Sequence, residues 1–287
     1  MPITNINIME TTKNVVLVPT DFTEVAENAV NQACEAAKFL KYKVVVLHVV
    51  DKNTKFNLMK ENQTIESINQ KLDAICKNII GSYNIEAEYI AREGSIFTTI
   101  GEVAKEIGAR LVYMGTHGKV GLEQMLTGSY ALKVISSSPA PVVVVQKRTF
   151  DNGYRNIVLP ITSDAGPWEK TKWAAYIASN FNSTIHIYQL PGADIAEAVK
   201  TIGGWFEKNG IRYTVKVADK SSDFSKQVID YATSINSDLI MIMTNPDKGF
   251  TSFIFGSYDE DIIFNGSQIP VMCINPREFN WSKIVDY

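Results

Sequence analysis

The sequence predicts an α/β protein of two tandem doubly wound domains, each with a five-stranded, mostly parallel sheet of order 3-2-1-4-5 and helices on both faces. Two observations predict this fold. Short apolar runs alternate with segments of helical periodicity, which is typical of βαβ units with right-handed crossovers. The same succession of segments then repeats at about half the chain length, which indicates homologous tandem domains.

The first half supplies one complete set of elements. Continuous apolar runs predict parallel strands that are buried on both faces, at 15–18, 44–50, 111–113 and 142–145. Alternation of apolar and polar residues predicts an edge strand at 85–91. Apolar residues at helical spacing predict helices over 26–40, 65–79, 96–107 and 130–137.

The second half repeats this order. Strands are expected at 156–161, 185–188, 213–217, 239–243 and 271–274. Helical spacing recurs around 173–178, 195–206 and 224–232. The triplet Gly256-Ser257-Tyr258 matches Gly128-Ser129-Tyr130 and aligns the two halves. A polar, glycine-containing linker near 147–154 then divides the chain into domains 1–148 and 149–287.

Composition excludes several classes of function. A formal net charge of −3 and a pI near 5.7 argue against a general nucleic-acid binder. No apolar run is long enough to span a membrane, and the polar residues 1–14 contain no secretion signal. The three cysteines, Cys34, Cys76 and Cys273, form no CxxC pair and are expected to be reduced, so a cytoplasmic protein is expected.

A glycine-rich segment follows the fourth strand of the first half. Gly115 and Gly118 come where that strand ends, and Gly128-Ser129 open the next helix. Glycine lets an anion approach the main chain, and a helix N-terminus offers unpaired N–H groups with a partial positive charge. The segment therefore predicts a polyphosphate site.

These residues resemble the nucleotide-binding members of the universal stress protein family. That family has Gly, two residues, Gly, nine residues, Gly and then Ser or Thr, which Gly115, Gly118, Gly128 and Ser129 match in full. The segments Val18-Pro19-Thr20-Asp21-Phe22 and 47–51 also resemble the ends of the family's first two strands. The resemblance is close in the first half and looser in the second.

The resemblance implies that the first domain binds ATP, with Mg²⁺. Asp21 would contact the ribose or the adenine, the backbone of Val49 would pair with the adenine edge, and Met114 would pack against the base. Ala131 stands where many ATP-binding members have Ser or Thr, so one hydrogen bond to phosphate is expected to be missing. The implied binding residues are Pro19, Thr20, Asp21, Val49, Met114, Gly115, His117, Gly118, Gly128, Ser129, Tyr130 and Ala131.

Each of these residues also has a purely structural interpretation. Gly115 and Gly118 could serve only a tight turn, and Asp21 could cap the helix that begins near Thr23. Met114 could be core filler. His48 is interpreted as a packed strand residue rather than as a catalytic base.

The second half lacks the pattern of the first. Pro246 stands opposite Gly118, and a proline neither donates an N–H nor adopts positive φ. Thr162 replaces the carboxylate of Asp21, and the alignment places Gln189 opposite Val49. One ATP per chain is therefore expected.

A P-loop, a nucleophile elbow and an HExxH site are all missing from the sequence, which favours a stress-response switch over an enzyme. Slow ATP hydrolysis remains open. So does a nucleotide-free scaffold that binds another ligand through the second domain. The expected partners are the adenine nucleotide, an unidentified protein and, in a homodimer, a second copy. The last strands of the two halves are expected to pair within the chain, since an unpaired edge invites aggregation. Phe279 and Trp281 make the tail after 275 apolar enough to cover a surface.

Overall fold

The computed structural model describes residues 14–116, 128–149, 153–162, 168–244 and 257–275, with the backbone alone for 128–130 and 257. In the first half the strands are β1 (Val15–Pro19), β2 (Lys43–Val50), β3 (Ala87–Glu93), β4 (Ala109–Gly115) and β5 (Val142–Val145). The helices there are α1 (Glu24–Leu40), α2 (Lys52–Lys60), α3 (Ile65–Tyr83), α4 (Ile96–Glu106) and α5 (Gly128–Ser137).

The second half repeats the arrangement. Its strands are β6 (Asn156–Ile161), β7 (Thr184–Gln189), β8 (Arg212–Val217), β9 (Leu239–Met243) and β10 (Val271–Ile274). Its helices are α6 (Trp168–Phe181), α7 (Ala193–Lys208), α8 (Phe224–Ser234) and α9 (Ser257–Ile263). Within the described ranges, no helix combines the length and the apolar character that a membrane crossing needs.

All ten described strands form one sheet, in the order β3-β2-β1-β4-β5-β10-β9-β6-β7-β8. Each half has the predicted order 3-2-1-4-5 with parallel pairing, which confirms the predicted fold. The halves join where β5 and β10 pair antiparallel, with Val143 opposite Met272. The expected pairing of the last strands is therefore present. The domain limits of 148 and 149 remain a prediction.

The central strands are buried on both faces, because helices cover both, whereas the edge strands β3 and β8 are half-buried or exposed. One apolar core packs α1, α3, α6 and α7 against the sheet, and the other packs α4, α5, α8 and α9 against the opposite face. Both cores continue from one half into the other. Two buried amides tie the halves together: Gln146 donates to the carbonyl of Asn265 over 3.0 Å, and Asn275 donates to the carbonyl of Ile135 over 2.6 Å.

Two sequence expectations need correction. Helix α2 is not predicted, since none of its residues is buried and an apolar stripe is therefore missing. The alignment of Gln189 with Val49 is wrong by one residue. Pro19 of β1 lies opposite Leu47, and the matching Pro160 of β6 lies opposite Tyr188. Gln189 is thus the counterpart of His48, and Leu190 that of Val49.

Candidate functional site

The chain leaves β1 through a tight turn. Phe22 has a φ of 65°, in the left-handed region that aromatic residues seldom occupy. The hydroxyl of Thr20 accepts a hydrogen bond from the N–H of Phe22 over 3.0 Å and supports this conformation. Such strain, which costs on the order of 1–3 kcal/mol, is common at binding sites.

The turn fixes the carboxylate of Asp21 with one oxygen left open. Its Oδ1 accepts hydrogen bonds from the backbone N–H of Thr23 over 3.0 Å and from the Thr23 hydroxyl over 2.6 Å. Thr23, not Asp21, is the N-cap of α1, because its hydroxyl accepts from the N–H of Ala26 over 3.3 Å. Both recorded bonds of Asp21 use Oδ1, so within the described chain Oδ2 remains available to a ligand.

His48 lies on β2 beside this turn. Its Nδ1 is 2.8 Å from the carbonyl oxygen of Thr20, and its ring stacks on Phe22 with the ring centroids 4.7 Å apart. Burial lowers the pKa of His48 below its usual value, against smaller opposing effects from the Thr20 hydrogen bond and from Asp21 and Asp51. The Nζ of Lys71 lies 5.4 Å from the centroid of the Phe22 ring. The imidazole is therefore held in place and neutral near pH 7.

A cavity of about 230 Å³ opens at this edge of the sheet, at the carboxyl ends of β1, β2 and β4. The strand order reverses between β1 and β4, which is where open α/β sheets bind ligands. Five of the predicted site residues lie along its wall: Pro19, Thr20, Asp21, Val49 and Gly115. Apolar side chains from α3 and α4, including Ile68 and Ile100, complete the inner wall.

Gly115 owes its identity to a close approach. A Cβ at this position would lie 2.7 Å from the carbonyl oxygen of Val25, in the first turn of α1. Any side chain would therefore push α1 away from the end of β4. Packing alone accounts for this glycine, and the same packing brings α1 and the Asp21 turn close to the strand end.

The remaining predicted residues are distributed differently. Met114 and Ala131 are fully buried in the core between the sheet and α4 and α5, and neither is among the residues that line the cavity. Gly128, Ser129 and Tyr130 begin α5, whose first turn carries no acidic residue. His117 and Gly118 lie outside the described residues.

The outer wall of the cavity was missed by the sequence reasoning. Helix α2 and the start of α3 contribute Asn57, Leu58, Ser67 and Lys71 to it. One local signal was present: Asp51 caps α2, since its Oδ1 accepts from the N–H of Thr54 over 2.8 Å. An Asp three residues before a Thr predicts a helix start but gives no indication that the helix borders a site.

The matching edge of the second half is built differently. The amine of Lys170 is buried and donates to the carbonyl of Pro160, at the carboxyl end of β6. Burial lowers the pKa of Lys170 to about 7, with Asp259 partly opposing the shift. Asp259 and Glu260 stand in the first turn of α9. This edge therefore holds a buried amine close to the acidic first turn of α9.

Comparisons with known proteins agree with this architecture. Residues 13–146 match the model of the universal stress protein family. The chain is 31% identical over 154 residues to a universal stress protein of Methanocaldococcus jannaschii, an alignment that covers 46% of this chain and 94% of that protein. A second universal stress protein of the same organism is 30% identical over 138 residues, covering 46% of this chain and 81% of the relative.

Solved structures show the two-half fold. A universal stress protein from Archaeoglobus fulgidus superposes with a TM-score of 0.74 at 19% identity, covering 92% of this chain and 97% of the other. A universal stress protein solved in complex with cAMP matches at 20% identity with a TM-score of 0.37. That match covers 48% of this chain and 100% of the other chain. At 19% identity, the likeness to the Archaeoglobus fulgidus protein concerns the fold alone.

Proposed function

Because the chain belongs to the universal stress protein family, we propose that it is an ATP-binding regulatory protein of the stress response. The nucleotide occupies the amino-terminal half and acts as a switch rather than as a substrate for rapid turnover. Binding biases the protein toward one of two states, which requires a difference in affinity between them. A cytoplasmic location, a protein partner and a homodimer belong to the same proposal.

The cavity at the ends of β1, β2 and β4 is the observation that carries this proposal. One wall of the cavity is apolar and suits a base. The free Oδ2 of Asp21 lies on the same cavity and can accept a hydrogen bond from a ribose hydroxyl. Val49 lies on the same wall, and its backbone is proposed to pair with the adenine edge.

The phosphates are assigned to the N-terminus of α5. A first turn without acidic residues leaves the helix dipole free to attract an anion. Gly118, Gly128 and Ser129 are proposed to supply the donors, with His117, Tyr130 and Ala131 beside them. No group of three or more His, Cys, Asp or Glu within the described ranges could hold a metal ion, so magnesium would arrive on the triphosphate.

The second half is proposed to bind no nucleotide. The buried amine of Lys170 already occupies its edge, and the two acids of α9 oppose an incoming phosphate. Met243 takes the place of Gly115, since Met243 pairs with Ile274 as Gly115 pairs with Val145.

Calorimetric titration of the full chain with MgATP tests the proposal. One site per chain is expected. Asp21→Ala should weaken binding about tenfold or more, since it removes the ribose acceptor. Thr162→Ala, the matching change in the second half, should leave the affinity within about twofold of wild type.

Two equivalent sites per chain, or no site in the presence of magnesium, would refute this proposal. Competition with cAMP shows whether the cavity selects the triphosphate or accepts any adenine nucleotide. Hydrogen exchange across residues 115–130 reports the switch: exchange should slow on adding ATP. A turnover assay on the same samples separates binding from hydrolysis.

A further inference from the structure

The least satisfied polar atom near the cavity is Nε2 of His48. His48 is 7% exposed and lines the cavity. Its Nε2 is buried and has no hydrogen-bond partner within the described part of the chain. Buried polar atoms are nearly always paired, so an unpaired one calls for an explanation.

The hydrogen bond at Nδ1 determines whether Nε2 is a donor or an acceptor. A backbone carbonyl can only accept, so the proton of the neutral ring resides on Nδ1, which donates to Thr20. Nε2 then carries a lone pair and can only accept. The ring cannot easily turn to exchange its nitrogens, because Phe22 stacks on it at 4.7 Å and Lys71 lies over Phe22 in turn.

The second half offers a contrast. His186 on β7 has both nitrogens in hydrogen-bond contact, Nδ1 with the hydroxyl of Thr214 at 2.9 Å and Nε2 with the amide oxygen of Asn156 at 3.0 Å. The protein itself thus supplies a partner for both ring nitrogens of His186. The histidine beside the cavity is satisfied on one side only.

We infer that His48 is a specificity-determining residue: a small shift of the cavity wall on binding uncovers its Nε2, which then accepts a hydrogen bond from an N–H or O–H group of the bound nucleotide. This inference rests on the proposed function. Two donors of an adenosine nucleotide qualify, the 6-amino group of the base and the ribose hydroxyls. Both share the chemistry that a neutral imidazole acceptor recognises.

Nucleotides that lack one donor test the inference. The probes are ATP, purine riboside 5′-triphosphate without the amino group, 2′-deoxy-ATP and 3′-deoxy-ATP, each titrated with magnesium. Wild type should bind at least one donor-deleted analogue about three- to tenfold more weakly than ATP, the value of one neutral hydrogen bond. The identity of that analogue separates base from ribose.

Two reciprocal variants assign the effect to Nε2. In His48→Asn the amide nitrogen can replace Nδ1 as donor to Thr20, while the acceptor at the Nε2 position is lost. The preference for ATP over that analogue should then fall to within about twofold. His48→Gln places an amide near the Nε2 position and should retain part of the preference. His186→Asn is the matched control and should leave all ratios unchanged.

A measurement on the wild-type chain guards against variants that fail to fold. With ¹⁵N-labelled histidine, the NMR resonance of His48 Nε2 should show an unprotonated nitrogen and should shift on saturation with ATP. ATP binding without a shift, a proton on Nε2, or unchanged analogue ratios in His48→Asn would overturn the inference. Absence of ATP binding to wild type would instead reject the proposed function, and this inference with it.

Discussion

The two halves place equivalent strands around edges of opposite character. In the first half, Gly115 admits α1 to the end of β4, and a cavity remains beside Asp21 and His48. In the second half, Met243 stands at the glycine position and a lysine amine is buried at the strand end. The same backbone layout thus carries a cavity edge, at the ends of β1, β2 and β4, and a lysine edge, where Lys170 meets the end of β6, and the side chains at the strand ends set the difference.

The largest expected effect is that of Lys170→Met, which removes the buried amine from the lysine edge. The usual pKa of 10.5 falls to about 7 in the folded chain, so between these values the unfolded chain binds more protons. The penalty that Lys170 imposes on stability is therefore absent above pH 10.5, grows as pH falls by up to about 1.4 kcal/mol per unit, and levels off below about pH 7.

Urea denaturation measures the difference in unfolding free energy between wild type and Lys170→Met. The range of about pH 6.5 to 9.5 lies roughly between the two pKa values. Lys170→Met should be more stable by about 2–4 kcal/mol at the lower end, with an advantage that shrinks as pH rises. Lys172→Met changes a neighbouring lysine and serves as the charge control. A constant difference across the pH range would mean that Lys170 is charged in the folded chain.

At the cavity edge, even a methyl group added to Gly115 should destabilise the fold. Gly115→Ala places a methyl group 2.7 Å from the carbonyl oxygen of Val25 and should cost about 1–3 kcal/mol of unfolding free energy. Gly204→Ala is the matched change in α7, where a Cβ meets nothing within 4 Å, and should stabilise by about 0.5–1 kcal/mol. Equal effects at the two glycines would show that α1 can give way.

Adding an acid to the first turn of α5, which like α9 would then begin with a carboxylate, should weaken ATP binding at the cavity edge. Ser129→Asp puts a carboxylate in the first turn of α5 and should lower ATP affinity about tenfold, through repulsion of phosphate. Asn78→Asp adds the same charge on an exposed position of α3, where the carboxylate can still accept from Ser82. Equal losses in the two variants would assign the effect to net charge instead.

The smallest effect concerns the turn that holds Asp21. Thr23→Ala removes the N-cap of α1 and should cost about 1 kcal/mol in urea denaturation. In the second half Asp223 is the N-cap of α8 but makes no side-chain capping hydrogen bond. Asp223→Ala should therefore lose no capping energy, and its change in unfolding free energy should reflect the left-handed φ of 53° at this position. ATP affinity should fall a few-fold in Thr23→Ala and stay unchanged in Asp223→Ala. An unchanged affinity in Thr23→Ala would show that the hydrogen bonds from Thr23 are not needed to position Asp21 for binding.

Sequence patterns predicted the fold because its central strands are apolar on both faces and its main helices bury an apolar stripe. Both patterns arise from burial. Helix α2 has no buried residue, so its sequence carries no such pattern. The cavity wall was predictable at Asp21 and Val49, where a strand end fixes position. Lys170 was not predictable, because a helical lysine is normally solvated and only the three-dimensional packing encloses this one.

The junction of β5 with β10 has a consequence for how such a protein can change over time. When two separate identical subunits pair, every substitution appears on both sides of the contact. Here one covalent chain supplies both sides, so the cross-junction bonds already differ: Gln146 reaches Asn265, whereas its counterpart Asn275 reaches Ile135. Neither dilution nor a shortage of partner can separate the pair, and each member is free to take on a different duty.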